Sequence, residues 1–147
     1  MKIPEFLAPT ETLVNIRASD KETLLEQLAQ KAAGKVKLRD DDILSALLKR
    51  ETLGSTGMGN GVAIPHARFP GIEKPFGMVA RLKQPIDFDA IDGQPVDVVF
   101  LLLLPAASEG EQLGALACVA RKLRTADDLV RLRRAKTASE LYAALTG

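Results

Sequence analysis

This chain of 147 residues holds one histidine, His66, and it closes a stretch unusually rich in glycine. Four of the eleven glycines fall within eight residues, Gly54-Ser55-Thr56-Gly57-Met58-Gly59-Asn60-Gly61, and Val62-Ala63-Ile64-Pro65-His66 follows directly. A neutral imidazole, with an ordinary pKa of ~6.5, is a competent nucleophile near neutral pH. Attack on a phosphoryl group by one ring nitrogen would make a phosphohistidine, provided a hydrogen bond, expected from the backbone, holds the other nitrogen and selects the tautomer. Glycine tolerates φ > 0 and removes bulk, so successive amides of such a loop can form an anion-binding nest. Ser55, Thr56, Gly57 and Gly59 are the loop residues expected against the transferring oxygens, with the Arg50 guanidinium neutralising their charge. Pro65 biases Ile64 toward extended backbone and fixes its own φ, which aims the histidine.

The same residues exclude several other chemistries. A Walker A loop needs Lys and Ser/Thr after its last glycine, whereas Asn60 and Gly61 follow Gly59. A dinucleotide fingerprint sits between strand and helix, and here the order is reversed. No nucleophile elbow is present for a serine hydrolase. One histidine and one distant cysteine, Cys118, give no soft-ligand metal site. Taken singly, each residue also has a plain structural reading. His66 can be a hydrogen bonder at a strand end, the glycines a tight surface turn, and Arg50 a partner of a helix dipole.

Composition sets the frame. The length fits one domain, residues 1–147, and 46% hydrophobic residues can supply a core. Twenty basic against nineteen acidic side chains argue against a general polyanion binder. The densest basic run, Arg121 to Lys136, has seven basic and two acidic residues but no interleaved aromatics, so it reads as a solvated helix face, or second as a docking surface for an acidic partner, and not as a nucleic-acid site. The longest apolar run, Val98 to Leu104, is far short of the ~20 residues of a membrane span. No signal peptide is visible, and the expected location is the cytoplasm.

The elements that must position His66 alternate in type. Ser19 with Glu22 reads as a capping box for a helix carrying Leu24, Leu25, Leu28, Ala29 and Ala32, with Gly34 as its stop. Asp40 or Asp41 is expected to cap a second helix that ends near Arg50-Glu51. Three further helices are expected behind Ser108 with Glu111, Thr125 with Asp128, and Thr137 with Glu140. Strands are expected at Leu13–Arg17, Gly61–Ile64, Gly77–Leu82 and Val96–Leu104, the last apolar enough to be buried on both faces. Helices before, between and after strands predict a sheet with helices packed on its faces. Cys118 reads as a small buried thiol. Met58, Phe69 and Phe76 read either as core or as an apolar docking rim, and Arg68 and Arg81 as possible secondary contacts.

The stretch RETLGSTGMGNGVAIPHAR closely resembles the phosphorylation-site motif of the phosphotransferase-system (PTS) IIA proteins of the mannitol/fructose and nitrogen-regulatory type. The likeness continues through EFLAPTETL, LLKRE, PIDFDAIDGQPVDVVFLLLLP and RLRRAKTASELYAAL. It implies an α+β fold, a three-layer α/β/α sandwich around a small mixed β-sheet. It also implies that His66 accepts a phosphoryl group at Nε2 from an HPr-like phosphocarrier, reversibly and with no metal, nucleotide or other cofactor. Arg50 matches the arginine beside the phosphoryl site, and Thr56 falls in the Ser/Thr-Gly loop. Many relatives carry a second histidine where this chain has Gln112; a glutamine amide can still donate a hydrogen bond to a phosphoryl oxygen but cannot become cationic. SEGEQLGAL and the tight motif match favour the nitrogen-regulatory branch, whose members control partner proteins through their phosphorylation state. The alternatives are a sugar-specific IIA component serving a membrane permease subunit, or a partner-binding regulator that is no longer phosphorylated.

Overall fold

β6 (Val96–Pro105) organises the molecule. Its alternate residues bury in opposite directions: Val98, Phe100, Leu102 and Leu104 join one core cluster, and Val99, Leu101 and Leu103 join the other. A strand apolar at every position needs cover on both faces, and the helices supply it. In the computed structural model, which describes residues 1–107 and 109–147, α1 (Lys21–Ala33) and α2 (Asp40–Thr52) cover one face. The other face is covered by α3 (Glu109–Arg124), α4 (Ala126–Arg134) and α5 (Ala138–Thr146). The result is the expected α/β/α sandwich around a mixed sheet.

Along the sheet, β1 (Thr12–Ile16) runs parallel to β5 (Phe76–Ile86), and β5 runs antiparallel to β6. The opposite edge of β6 is shared by two short parallel strands, β3 (Val62–Ala63) and β4 (His66–Phe69). β2 (Gly57–Gly59) pairs antiparallel with β3 at the outer edge. Pro65 explains the interruption between β3 and β4. It has no N–H to give the ladder, yet its carbonyl still accepts the Leu102 N–H at 2.9 Å.

Several sequence expectations shift. Asp20, and not Ser19, caps α1, its carboxylate accepting the Thr23 N–H at 2.8 Å. Arg39 precedes α2 and makes no side-chain cap; Asp40 lies inside the helix and accepts the Asp41 N–H. Three aspartates in that first turn oppose the helix dipole's positive end. Thr125 flanks α4, but its hydroxyl donates backward to the Arg121 carbonyl, so no box with Asp128 forms. The Thr137–Glu140 box does form. The box of Ser108 with Glu111 lies outside the described residues. β2 and β4 were not expected as strands, and β5 extends four residues beyond Leu82, through Pro85 to Ile86. No described helix is long and apolar enough to cross a membrane.

Candidate functional site

His66 opens β4 instead of closing the strand before it. Its position follows from a short series of backbone bonds. The Thr56 carbonyl accepts the Ile64 N–H at 3.1 Å, and the Ile64 carbonyl lies 2.9 Å from His66 Nδ1. A carbonyl oxygen can only accept, so the proton resides on Nδ1 and the neutral ring keeps its lone pair on Nε2. Burial pushes the His66 pKa below its ordinary value, a tendency opposed by the Ile64 bond, reinforced by the Arg50 guanidinium and opposed by the Glu51 carboxylate. Burial and the guanidinium thus both favour the neutral imidazole.

Two clefts meet at this ring. One, of about 630 Å³, is lined by Lys49, Arg50, Leu53, His66, Arg68, Leu104, Gln112 and Leu116 among others. The second, of about 490 Å³, is lined by Arg50, Ser55, Thr56, Gly57, Met58, His66, Ile91, Leu116 and Arg124 among others. Arg50, His66 and Leu116 belong to both. Arg50 projects from the last turn of α2, and its Nη1 donates to the Gly54 carbonyl at 2.9 Å, which ties it to the start of the glycine loop. Gln112 is buried, and its Nε2 donates to the Pro105 carbonyl at the end of β6. That bond uses one of two amide hydrogens on a side chain lining the His66 cleft.

The glycine loop behaves differently from the expected nest. The Thr56 N–H donates to Glu51 Oε1 at 3.0 Å, and the Gly57 N–H to Ser55 Oγ at 3.0 Å. Both amides are engaged inside the protein, so an anion-binding nest does not form at these two positions. The absent Cβ atoms serve packing instead. A Cβ on Gly57 would stand 2.8 Å from Ala90, and Gly61 has φ +80° with Arg133 and Asp97 where its Cβ would go. Ser55, Thr56 and Gly57 line the second cleft, whereas Gly59 lines neither and lies against Asp92. The Asp92 carboxylate accepts the Asn60 N–H at 3.0 Å, which with the Gln94 amide holds its pKa below the usual range.

Sequence reasoning missed Glu51 and Lys21. The Glu51 side chain is 6% exposed and takes the Thr56 N–H, the Thr56 hydroxyl and, at 2.8 Å, the Lys21 ammonium. These partners lie thirty residues upstream and five downstream, so no local pattern advertises them. Of the three residues that could be core or docking rim, two prove to be core. Phe69 is buried in the core and Phe76 packs against it, while Met58 does line a cleft. Leu53 and Ile91, 82% and 85% exposed, supply the apolar surface beside the clefts. Arg68 lines the larger cleft; Arg81 is elsewhere, donating to the Leu132 and Ala135 carbonyls at the end of α4. In the basic run, Arg133 braces Asp97 and the Asn60 carbonyl, and Lys122 and Arg131 pair with Asp128. Cys118 is half-buried, less enclosed than expected.

Residues 5–147 match the family model described as "Phosphoenolpyruvate-dependent sugar phosphotransferase system, EIIA 2". The chain belongs to this family. It is 44% identical to the nitrogen regulatory protein of Bradyrhizobium diazoefficiens over 145 residues, covering 99% of this chain and 95% of that one. The crystal structure of nitrogen regulatory protein IIA-Ntr from Neisseria meningitidis superposes with a TM-score of 0.92 at 36% identity, covering 98% and 99% of the two chains. A fructose-specific EIIA component of Haloferax volcanii is 40% identical over 105 residues, 71% of this chain and 68% of that one. Within the PTS IIA family the chain is thus IIA-Ntr-like.

Proposed function

We propose that residues 1–147 act as one IIA domain in which His66 Nε2 accepts a phosphoryl group from the phosphohistidine of an HPr-like carrier. The observation that carries this reading is the bond from Nδ1 to the Ile64 carbonyl, which leaves Nε2 as the nucleophilic nitrogen of a neutral ring between two clefts. The Nε2–P bond forms as the carrier's P–N bond breaks, and the carrier nitrogen leaves with the electron pair. The Nδ1 proton stays in place, and the Ile64 carbonyl stabilises the cationic character the ring acquires. Arg50 offsets charge on the phosphoryl oxygens, and Gln112 offers its second amide hydrogen. Ser55, Thr56 and Gly57 shape the wall around the phosphoryl group, and Gly59 sets the loop's path. Exposed Leu53 and Ile91 give the carrier an apolar surface on either side of the reacting ring.

The phosphorylation state then governs regulatory partner proteins in the cytoplasm. The IIA-Ntr-like relatives support this branch. Delivery to a sugar permease subunit is the second reading, supported by the fructose-specific relative. Neither reading needs a cofactor, nucleic acid or membrane insertion. The test is transfer from phosphoenolpyruvate through the general PTS enzyme and an HPr-type carrier, with analysis under alkaline conditions. Acid-labile label on wild type and none on His66→Ala is the expected result. Label surviving in His66→Ala would remove the proposal, and no label on wild type with a charged carrier would favour a regulator that has lost the reaction.

A further inference from the structure

Beneath the glycine loop, an ion pair and three hydrogen bonds, joined through the backbone of Thr56 and Ile64, lead to the imidazole. Lys21 Nζ lies 2.8 Å from Glu51 Oε1, which accepts the Thr56 N–H at 3.0 Å. The Thr56 carbonyl takes the Ile64 N–H at 3.1 Å, and the Ile64 carbonyl takes His66 Nδ1–H at 2.9 Å. We propose that the Lys21–Glu51 pair, its carboxylate side chain enclosed, is a positioning element for His66, acting through Thr56 and Ile64 to hold the ring in its Nδ1–H tautomer.

Burial and partner count support this. A carboxylate 6% exposed pays a desolvation cost that one surface-type ion pair would not offset. Here both Thr56 donors and the Lys21 ammonium compensate it, and the ammonium itself sits 4.6 Å from the Phe88 ring centroid. Ser55 Oγ, donating to the Phe88 carbonyl at 2.7 Å, ties the loop to the same phenylalanine. Lys21 starts α1 and Glu51 ends α2, so the pair fixes the loop relative to two helices packed on the sheet. Without Glu51, the Thr56 N–H and hydroxyl lose their acceptors, and residue 56 can shift, carrying with it the carbonyl that holds the Ile64 N–H. The Ile64 carbonyl would then no longer be set against Nδ1.

The test uses the fact that this chain has one histidine, so ¹⁵N-histidine labelling gives a single pair of ring-nitrogen signals. Wild type, Glu51→Gln and Glu51→Ala are compared at pH 7.5 by ring ¹⁵N shifts and by the rate of phosphoryl transfer from a charged HPr-type carrier. The expected order of Nδ1–H tautomer population is wild type, then Glu51→Gln, which keeps one acceptor for Thr56, then Glu51→Ala. Transfer should fall in the same order, by about tenfold in Glu51→Ala, the scale of loss seen when outer-shell orienting groups are removed. Glu51→Gln guards against a failure of Glu51→Ala to fold. Wild-type ring shifts and rate in a folded Glu51 variant would overturn the proposal. The rate arm rests on the phosphoryl-acceptor reading above, whereas the ring arm does not. Tautomer shifts in variants of a protein that accepts no phosphoryl group would therefore support this positioning role and sink that reading.

Discussion

At the scale of single residues, function depends on which nitrogen of His66 carries a proton and on what charge faces it. Burial lowers the ring's pKa, so the folded state binds fewer protons than the unfolded chain as pH falls below ~6.5. The stability His66 contributes is thus complete above ~6.5 and is lost as pH falls through the lower folded value. An NMR titration of the ring should give a midpoint below ~6.5, and phosphoryl acceptance should fall off at lower pH than an ordinary histidine would allow. A midpoint at or above that value would contradict the burial argument. Arg50→Ala should slow transfer by about a hundredfold, the usual cost of removing a group that stabilises developing anionic charge. Arg50→Lys should recover only part of it, since an ammonium cannot both reach the phosphoryl group and keep the planar bond to the Gly54 carbonyl. Gln112 tests the value of a second cation. Gln112→His can donate to the Pro105 carbonyl with one nitrogen and present positive charge with the other, so transfer should quicken severalfold. Unchanged kinetics in that variant would show that the amide is sufficient.

At the scale of elements, the site is a product of β6. Leu102 pairs in register with His66, and Pro65 hands its carbonyl to the Leu102 N–H. Leu102→Ala should therefore cost about 2–5 kcal/mol, read as a lowered denaturant midpoint with unchanged slope. A cost below ~0.5 kcal/mol would mean the strand tolerates a void there. Elements with strong periodicity were legible in the sequence. β6 declares itself by an unbroken apolar run, and α1 by Leu24, Leu25, Leu28, Ala29 and Ala32 at helical spacing. The short strands β2 and β4 were not, because three or four residues carry no period and form only where β3 and β6 offer open edges. Caps shift by a residue where neighbours compete: Ser19 and Asp20 can each accept from the first turn of α1 and Asp20 does, whereas at α2 the Ncap falls on Arg39, which has no acceptor, and the aspartates lie inside the helix.

At the scale of the molecule, three layers converge on one ring. α2 brings Arg50, the sheet brings His66, and α3 brings Gln112, each from a different part of the chain. His66, Arg50 and Gln112 could be picked out from the sequence because residue type and family motif mark them. Glu51 could not, since its meaning arises only when α1 brings Lys21 beneath the loop. Residue type alone offers the glycine cluster either as an anion nest or as a tight turn, and neither shows that at Gly57 and Gly61 the fold uses the missing side chain to admit Ala90, Arg133 and Asp97. The central claim is that Nδ1 is held by Ile64 and Nε2 reacts. The most direct measurement is ¹⁵N–³¹P coupling in the ¹⁵N-histidine-labelled protein after charging by an HPr-type carrier. Coupling to Nε2, with Nδ1 still protonated, is the expected result; phosphate on Nδ1, or on no ring nitrogen, would contradict it.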